Sequence, residues 1–307
     1  MTAAVLEFST PEDLKLIYKE LKVTDTGLRS DVVAIQDWIS KQPHLPKISS
    51  DDFVRHVLIL CKNSVEKCKN VIDMYYTLRG AAPEYYENRD PLRPEIQQSL
   101  RTVLFLPLPK LTPDGYRVSI FKFFNTDPAV LDPLAFCKVC FMSTDIRLRE
   151  DTCRGDIIVW DLGGGTMSHL TASLPQVKKF IYCASNASPM RQKSVFIINA
   201  PSFADTIINL AKSFAKKKVA DRTQALSESK DLLKYIPMQV LPQEYGGTYE
   251  KTMNELRDEW AKKLESYRDW FMTEGSVKAD ESKRPGKSNL QQDLFGIEGS
   301  FRKINID

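Results

Sequence analysis

The chain has 307 residues, of which 42% are hydrophobic, and its 43 basic and 40 acidic side chains leave a formal charge of +3. That size can bury a full core in one large domain or two unequal ones, and the near balance of charge excludes a global attraction to nucleic acid, so any grip on a polyanion must be local. No window approaches the roughly 18 apolar residues of a membrane span, and Met1-Thr-Ala-Ala-Val-Leu-Glu-Phe lacks the charged start and apolar run of a signal peptide, which predicts a cytoplasmic protein.

Residues 11–22, PEDLKLIYKELK, place proline and acids first and lysines last, the order a helix dipole favours. Residues 26–42 predict a second helix with Leu28, Val32, Ile35, Trp38 and Ile39 on one face, stopped by Pro43 and Pro46. Ser50 caps a third through Phe53, Val57 and Leu60, and Ser64 a fourth with Cys68, Ile72, Tyr75, Tyr76 and Leu78 spaced for burial. Four helices without a strand signal predict an α-helical N-terminal domain over residues 1–90, ending at Asn88-Arg-Asp-Pro-Leu-Arg-Pro.

Beyond that break, strand and helix alternate. Residues 117–124, 156–162 and 194–198 are strand candidates, separated by helical stretches at 131–148 and 175–187. Alternation of this kind implies crossover connections and a mostly parallel sheet, hence an α/β domain over residues 91–250. Residues 223–226 predict a short edge strand, 232–235 the end of a helix, and Leu241-Pro-Gln-Glu-Tyr-Gly-Gly-Thr a closing turn. Residues 251–307 form a third region. A long charged helix over 249–272 holds Trp260, Tyr267, Trp270 and Phe271; polar residues 273–289 predict a mobile or surface-draped segment, and Leu294-Phe-Gly-Ile a small apolar anchor.

The stretch over residues 188–222 organises the second domain. Ser194-Val-Phe-Ile-Ile is a strand covered on both faces, and from Ser202 the period changes, with Phe203, Ile207, Leu210, Ala211 and Phe214 on one helical face. Arg191 and Lys193 precede the unit; Lys216, Lys217, Lys218 and Arg222 follow it. The plainer reading is a cover helix with a solvated, dipole-complementing end. The functional reading is a helix that closes an apolar cavity beside cations that meet anionic headgroups.

Several motifs decide for the second. Asp51-Asp-Phe, Cys61-Lys-Asn-Ser-Val-Glu-Lys and Tyr75-Tyr-Thr-Leu-Arg resemble the helical N-terminal part of CRAL-TRIO lipid-transfer proteins, and IINAP at 197–201 and LPQEYGG at 241–247 continue the likeness. Glu281-Ser-Lys-Arg-Pro-Gly and LFGIEGSFRK at 294–303 resemble the tail of arthropod members. The resemblance implies a helical domain on a lipid-binding α/β domain with a gating helix, here Phe203 to Phe214, enclosing a tocopherol, a retinoid or a related lipid. It further implies a phosphoinositide site: the headgroup-gripping positions of the tocopherol-transfer branch fall on Arg191, Lys193, Lys218 and Arg222, all basic in this chain. The arginine-bearing stretch usual near residue 60 is here Leu58-Ile-Leu-Cys-Lys. Candidate cavity residues are Phe136, Val139, Cys140, Trp160, Phe180, Cys183, Val195, Ile197, Phe203, Ile207, Leu210 and Phe214. Each is apolar on an element expected to face inward, with plain core as the alternative. The implied protein is a monomeric, non-enzymatic carrier, transiently peripheral on membranes.

Other signals point elsewhere. Asp161-Leu-Gly-Gly-Gly-Thr after a strand is also the phosphate-binding signature of actin-like and heat-shock ATPases, but no second such loop follows another strand. Cys137 and Cys140 form a CxxC without a partner pair, and six cysteines in a long chain without a secretion signal predict reduced thiols. His44, His56 and His169 show no metal spacing, so neither cofactor nor metal is expected. A ligand-free scaffold is the remaining alternative.

Overall fold

The structure is a computed structural model and describes residues 5–48, 50–203, 205, 208–209, 213 and 217–286. Helix α1 (Pro11–Leu21) starts at Thr10, whose hydroxyl accepts from the Asp13 amide while the Asp13 carboxylate accepts from the Thr10 amide. Helices α2 (Asp25–Ser40), α3 (Asp51–Leu60) and α4 (Val65–Ala81) begin at the hydroxyl caps Thr24, Ser50 and Ser64. Their inner faces meet in one cluster containing Ile17, Leu28, Ile35, Phe53, Leu58 and Ile72. Between α3 and α4, Lys62 and Asn63 both sit in the left-handed region, at φ 59° and 55°, and this turn leaves Lys62 exposed. Two proline-initiated helices follow, the single turn α5 (Pro83–Tyr86) and α6 (Pro94–Thr102).

A five-stranded sheet in the order β1-β2-β3-β4-β5 forms the second layer. Strands β1 (Val103–Leu111) and β2 (Arg117–Phe123) are antiparallel, whereas β3 (Asp156–Asp161), β4 (Gln192–Ile198) and β5 (Thr223–Ala225) continue from β2 in parallel. Helices α7 (Pro133–Glu150) and α8 (Met167–Ala187) cross between the parallel strands, and the turn α9 (Lys217–Ala220) leads into β5. After β5 come a 3-10 turn (Ser229–Lys234) and helices α10 (Met253–Ser266) and α11 (Arg268–Met272).

Several elements differ from the sequence reading. α6 and β1 were not anticipated. β1 runs through Pro107 and Pro109, which lack an amide to donate; it is an edge strand, and its ladder to β2 skips from Pro107 to Leu111. α8 begins at Met167 rather than 175, carrying Pro175 inside it. The long terminal helix is two, parted at Tyr267 (φ −93°, ψ 8°), and the helix end expected at 232–235 is a 3-10 turn. Of the gating helix, Ile207, Leu210 and Phe214 lie outside the described residues, as does the tail motif at 294–303.

Alternation along the strands gives the sheet two unlike faces. On one, Leu104, Leu106, Ile120, Ile157, Val159, Phe196 and Ile198 join Leu232, Tyr245, Tyr249 and Trp260 in the main core. On the other stand Phe105, Ser119, Phe121, Phe123, Ile158, Trp160, Val195 and Ile197, as the strand register requires.

The three parts of the chain are tied by a buried charge cluster. Asp145 on α7 accepts from Arg79 on α4 at 2.7 and 2.8 Å, from Arg89 at 2.5 Å and from the Tyr75 hydroxyl at 2.6 Å. Both guanidiniums also donate to the carbonyl of Gly275. Residues 273–286 then drape over the helical layer: the Ala279 amide donates to Tyr76 O (3.0 Å), that of Asp280 to His44 O (2.8 Å), and Arg284 pairs with Asp73 (2.6 Å). Among the described residues no helix is long and apolar enough to cross a membrane.

Candidate functional site

The second face of the sheet carries a run of aromatic rings. Trp160 on β3 lies 4.8 Å from Phe121 on β2 and 5.9 Å from Phe105 on β1, centroid to centroid. Phe121 also meets Phe136 of α7 at 5.5 Å and Phe123 at 5.0 Å. Beside them Ile158, Val195 and Ile197 are each 6% exposed, while Phe105, Phe123, Phe136 and Trp160 are only half-buried. A half-buried aromatic surface at the middle of a sheet is large, apolar and short of polar partners, which suits it to a hydrophobic molecule.

The expected cavity residues separate into groups. Trp160, Val195 and Ile197 share this face by register, and Phe136 reaches it from α7. Val139 instead packs in the main core with Leu104 and Trp260, and Cys183 is fully buried against Cys137, Phe141, Tyr85 and Tyr86. Phe180 is half-buried, its ring 5.3 Å from Phe141, and Cys140 is 9% exposed on α7. Phe203 is half-buried. All six cysteines are unpaired and buried, and burial pushes their thiols up, Cys61 to about 11 and Cys183 to about 12. A separate open cleft of about 250 Å³, lined by Glu7, Phe8, Asp13, Lys110 and Gln239 among others, contains none of these residues.

The cations form a connected patch. Gly155, at φ 145°, opens β3 so close to Arg191 that an added Cβ would lie 2.3 Å from the Arg191 carbonyl oxygen; the Asp156 amide donates to that oxygen at 2.7 Å. Arg191 is thereby held at the start of β4. Its guanidinium and that of Arg154 share the two oxygens of Glu20 on α1, each at 2.7 Å. Burial raises the Glu20 carboxyl, but the two arginines outweigh it and hold the group below its usual range. The Tyr116 ring carries Arg154 at 5.1 Å and Lys193 at 5.7 Å. Arg222 donates to Gln192 O at 2.5 Å, and Lys218 is exposed on α9. Lys62 completes the group: the Arg191 charge first, then slight burial and Lys218 push its ammonium below the usual lysine value. Sequence reasoning missed both Lys62 and Arg154. The only signal for Lys62 was a lysine in a tight helix-helix turn.

The glycine turn after β3 has a structural role. Asp161 Oδ1 accepts from the Gly163 amide (3.1 Å) and Asn199 Nδ2 (2.8 Å), while Oδ2 accepts from Lys122 Nζ (3.1 Å) and the Tyr245 hydroxyl (2.8 Å). Both oxygens are engaged, so the acid that an ATPase would turn toward a nucleotide here ties LPQEYGG to the sheet. Gly164, at φ 76°, packs on Thr126 where a Cβ would sit 2.2 Å from a methyl carbon. Among the described residues no group of His, Cys, Asp and Glu could hold a metal ion.

Residues 102–247 match the CRAL/TRIO domain, and residues 24–96 the Pinta-like, UBA domain. The chain is similar to "Alpha-tocopherol transfer protein-like" of Mus musculus, with 28% identity over 224 residues, 71% of this chain and 64% of that protein. It is likewise similar to the Homo sapiens protein of that name, 26% identical over 223 residues, 71% of this chain and 65% of the relative. The match thus spans slightly under two thirds of these relatives' length. A solved structure, "Crystal structure of Sfh5", superposes over 82% of this chain and 92% of that one with a TM-score of 0.47 and 13% identity.

Proposed function

Because residues 102–247 form a CRAL/TRIO domain, we propose that the protein is a non-enzymatic carrier of a small hydrophobic molecule, a tocopherol, a retinoid or a related lipid, which it transfers between membranes as a monomer. The relatives' printed names favour the same class of cargo. The observation that carries the proposal is the aromatic face on which half-buried Phe105, Phe123, Phe136 and Trp160 surround buried Phe121, set apart from the main core. Covering about twenty ligand carbons there, at about 0.8 kcal/mol per CH2, suffices for micromolar or tighter binding after the cost of immobilising the ligand. The segment over residues 203–214, whose apolar residues recur at helical spacing, is the proposed gate.

Release is proposed to occur at phosphoinositide-bearing membranes, with Arg191, Lys193, Lys218 and Arg222 gripping the headgroup and Lys62 beside them. Converging donors on three separate segments support this, since phosphate is held best by several charge-assisted bonds at once. Sedimentation with phosphatidylcholine vesicles containing or lacking a phosphoinositide tests it. The doubly substituted Arg191→Ala, Lys218→Ala protein should lose most of the phosphoinositide-dependent binding and keep its bound ligand in solution. Equal sedimentation of the variant and the parent would refute the headgroup site.

A further inference from the structure

His169 stands in the first turn of α8, 4% exposed, and its ring lies 4.6 Å from Phe123, the aromatic that continues the run through Phe121 to Trp160. Its Nδ1 faces two groups of the capping residue, the Thr166 amide at 3.1 Å and the Thr166 hydroxyl at 2.8 Å. A backbone amide can only donate, so Nδ1 is the acceptor and the ring proton resides on Nε2. Burial lowers the histidine pKa, which keeps the ring neutral and this tautomer in place. Among the described residues Nε2 has no hydrogen-bond partner. A buried N–H donor is thus left unpaired beside the aromatic face, where such groups are normally satisfied.

We infer that His169 donates a hydrogen bond from Nε2 to an oxygen atom of the carried molecule, so that the cargo is a hydrophobic compound with a hydroxyl, carbonyl or ether oxygen at one end. The inference rests on the carrier reading above and adds the polar end of the ligand to it. A neutral acceptor fits better than a carboxylate. The neighbouring cation Lys122 projects from the opposite face of β2 and is paired with Asp161, so it offers no counter-charge on the aromatic side. The alternative partner for Nε2 is the ring of Phe123 itself, a weaker contact that would not distinguish one ligand from another.

Two probes that differ only in the oxygen separate these cases: a pyrenyl-alkyl alcohol and the same pyrenyl-alkane without the hydroxyl, titrated into the full chain and into its His169→Phe variant. The substitution keeps a ring against Phe123 and removes the donor. The alcohol should bind the variant about tenfold more weakly and the alkane should bind both proteins alike, as expected for loss of one hydrogen bond. The 15N resonance of His169 Nε2 should also move on adding the alcohol and stay in place with the alkane. Equal changes for both probes, or no change for either, would overturn the assignment of His169 while leaving the carrier intact. Failure of the unaltered protein to bind either probe would overturn both readings.

Discussion

Replacing Asp145 with Asn isolates the contact on which the arrangement of the three segments depends. Asp145 is 1% exposed and pairs with two guanidiniums, Arg79 and Arg89, which are themselves buried. Asn retains an acceptor for the Tyr75 hydroxyl but removes the charge, leaving two cations with neutral partners, the Gly275 carbonyl, the Tyr75 hydroxyl and the rings of Tyr75, Tyr86 and Phe271. Breaking one partner from a buried ion cluster costs about 3–5 kcal/mol, chiefly through the charge left uncompensated. Equilibrium urea unfolding followed by tryptophan fluorescence should show a loss of that size, with faster proteolysis near residues 273–276. The triple replacement Arg79→Met, Arg89→Met, Asp145→Leu should cost less than Asp145→Asn alone, because it removes the two guanidiniums together with their carboxylate. A loss below about 1 kcal/mol in Asp145→Asn, or a triple variant worse than the single one, would refute the reasoning.

Three further outcomes follow from the same geometry. Burial works to raise the carboxyls of Asp145 and Asp151, but Arg79 and Arg89 beside the first, and Arg117 and Arg147 beside the second, hold both well below the usual range. Their stabilisation is therefore full above about pH 4, the unfolded value, and is lost as pH falls further; buried Asp156, whose carboxyl is raised, works in the opposite sense, so thermal unfolding across pH 2–7 should show a net loss that Asp145→Asn makes shallower. Gly155→Ala forces a Cβ to within 2.3 Å of the Arg191 carbonyl at φ 145°, so it should cost about 1–3 kcal/mol in unfolding and weaken phosphoinositide vesicle binding as Arg191 shifts. Trp160→Ala removes the half-buried centre of the aromatic face, and ligand affinity should fall by about 2 kcal/mol or more while thermal stability changes less, since in the ligand-free fold that ring is not fully covered.

Helices α1 to α4 were legible from local signals: proline and charge order for α1, an apolar face stopped by prolines for α2, and a serine cap joined to apolar helical spacing for α3 and α4. β1 was not legible. Pro107 and Pro109 argue against a strand, and only its position at the sheet edge, a property of the whole fold, makes them harmless. The site divides the same way. Val195, Ile197 and Trp160 alternate along strands, so strand assignment sufficed to put them on one face. Val139 falls in the core because α7 is buried on nearly every side, from Ala135 to Leu148, so its apolar period does not tell the ligand side from the core side, and Cys183 of α8 is covered by Tyr85, Tyr86 and Phe141, a contact its own helical period does not show. Lys62 meets Arg191 only through packing of the α3–α4 turn against the sheet domain, and among the described residues Nε2 of His169 has no hydrogen-bond partner, which the tertiary fold decides. Neither fact has a local signature.

The carrier itself is tested most directly by purifying the protein from its native source, extracting it with organic solvent and identifying what is released by mass spectrometry. The account predicts one hydrophobic, oxygen-bearing compound at about one molecule per chain. An extract without any such compound, from a protein that also fails to take up tocopherols, retinoids and phospholipids from vesicles, would contradict it.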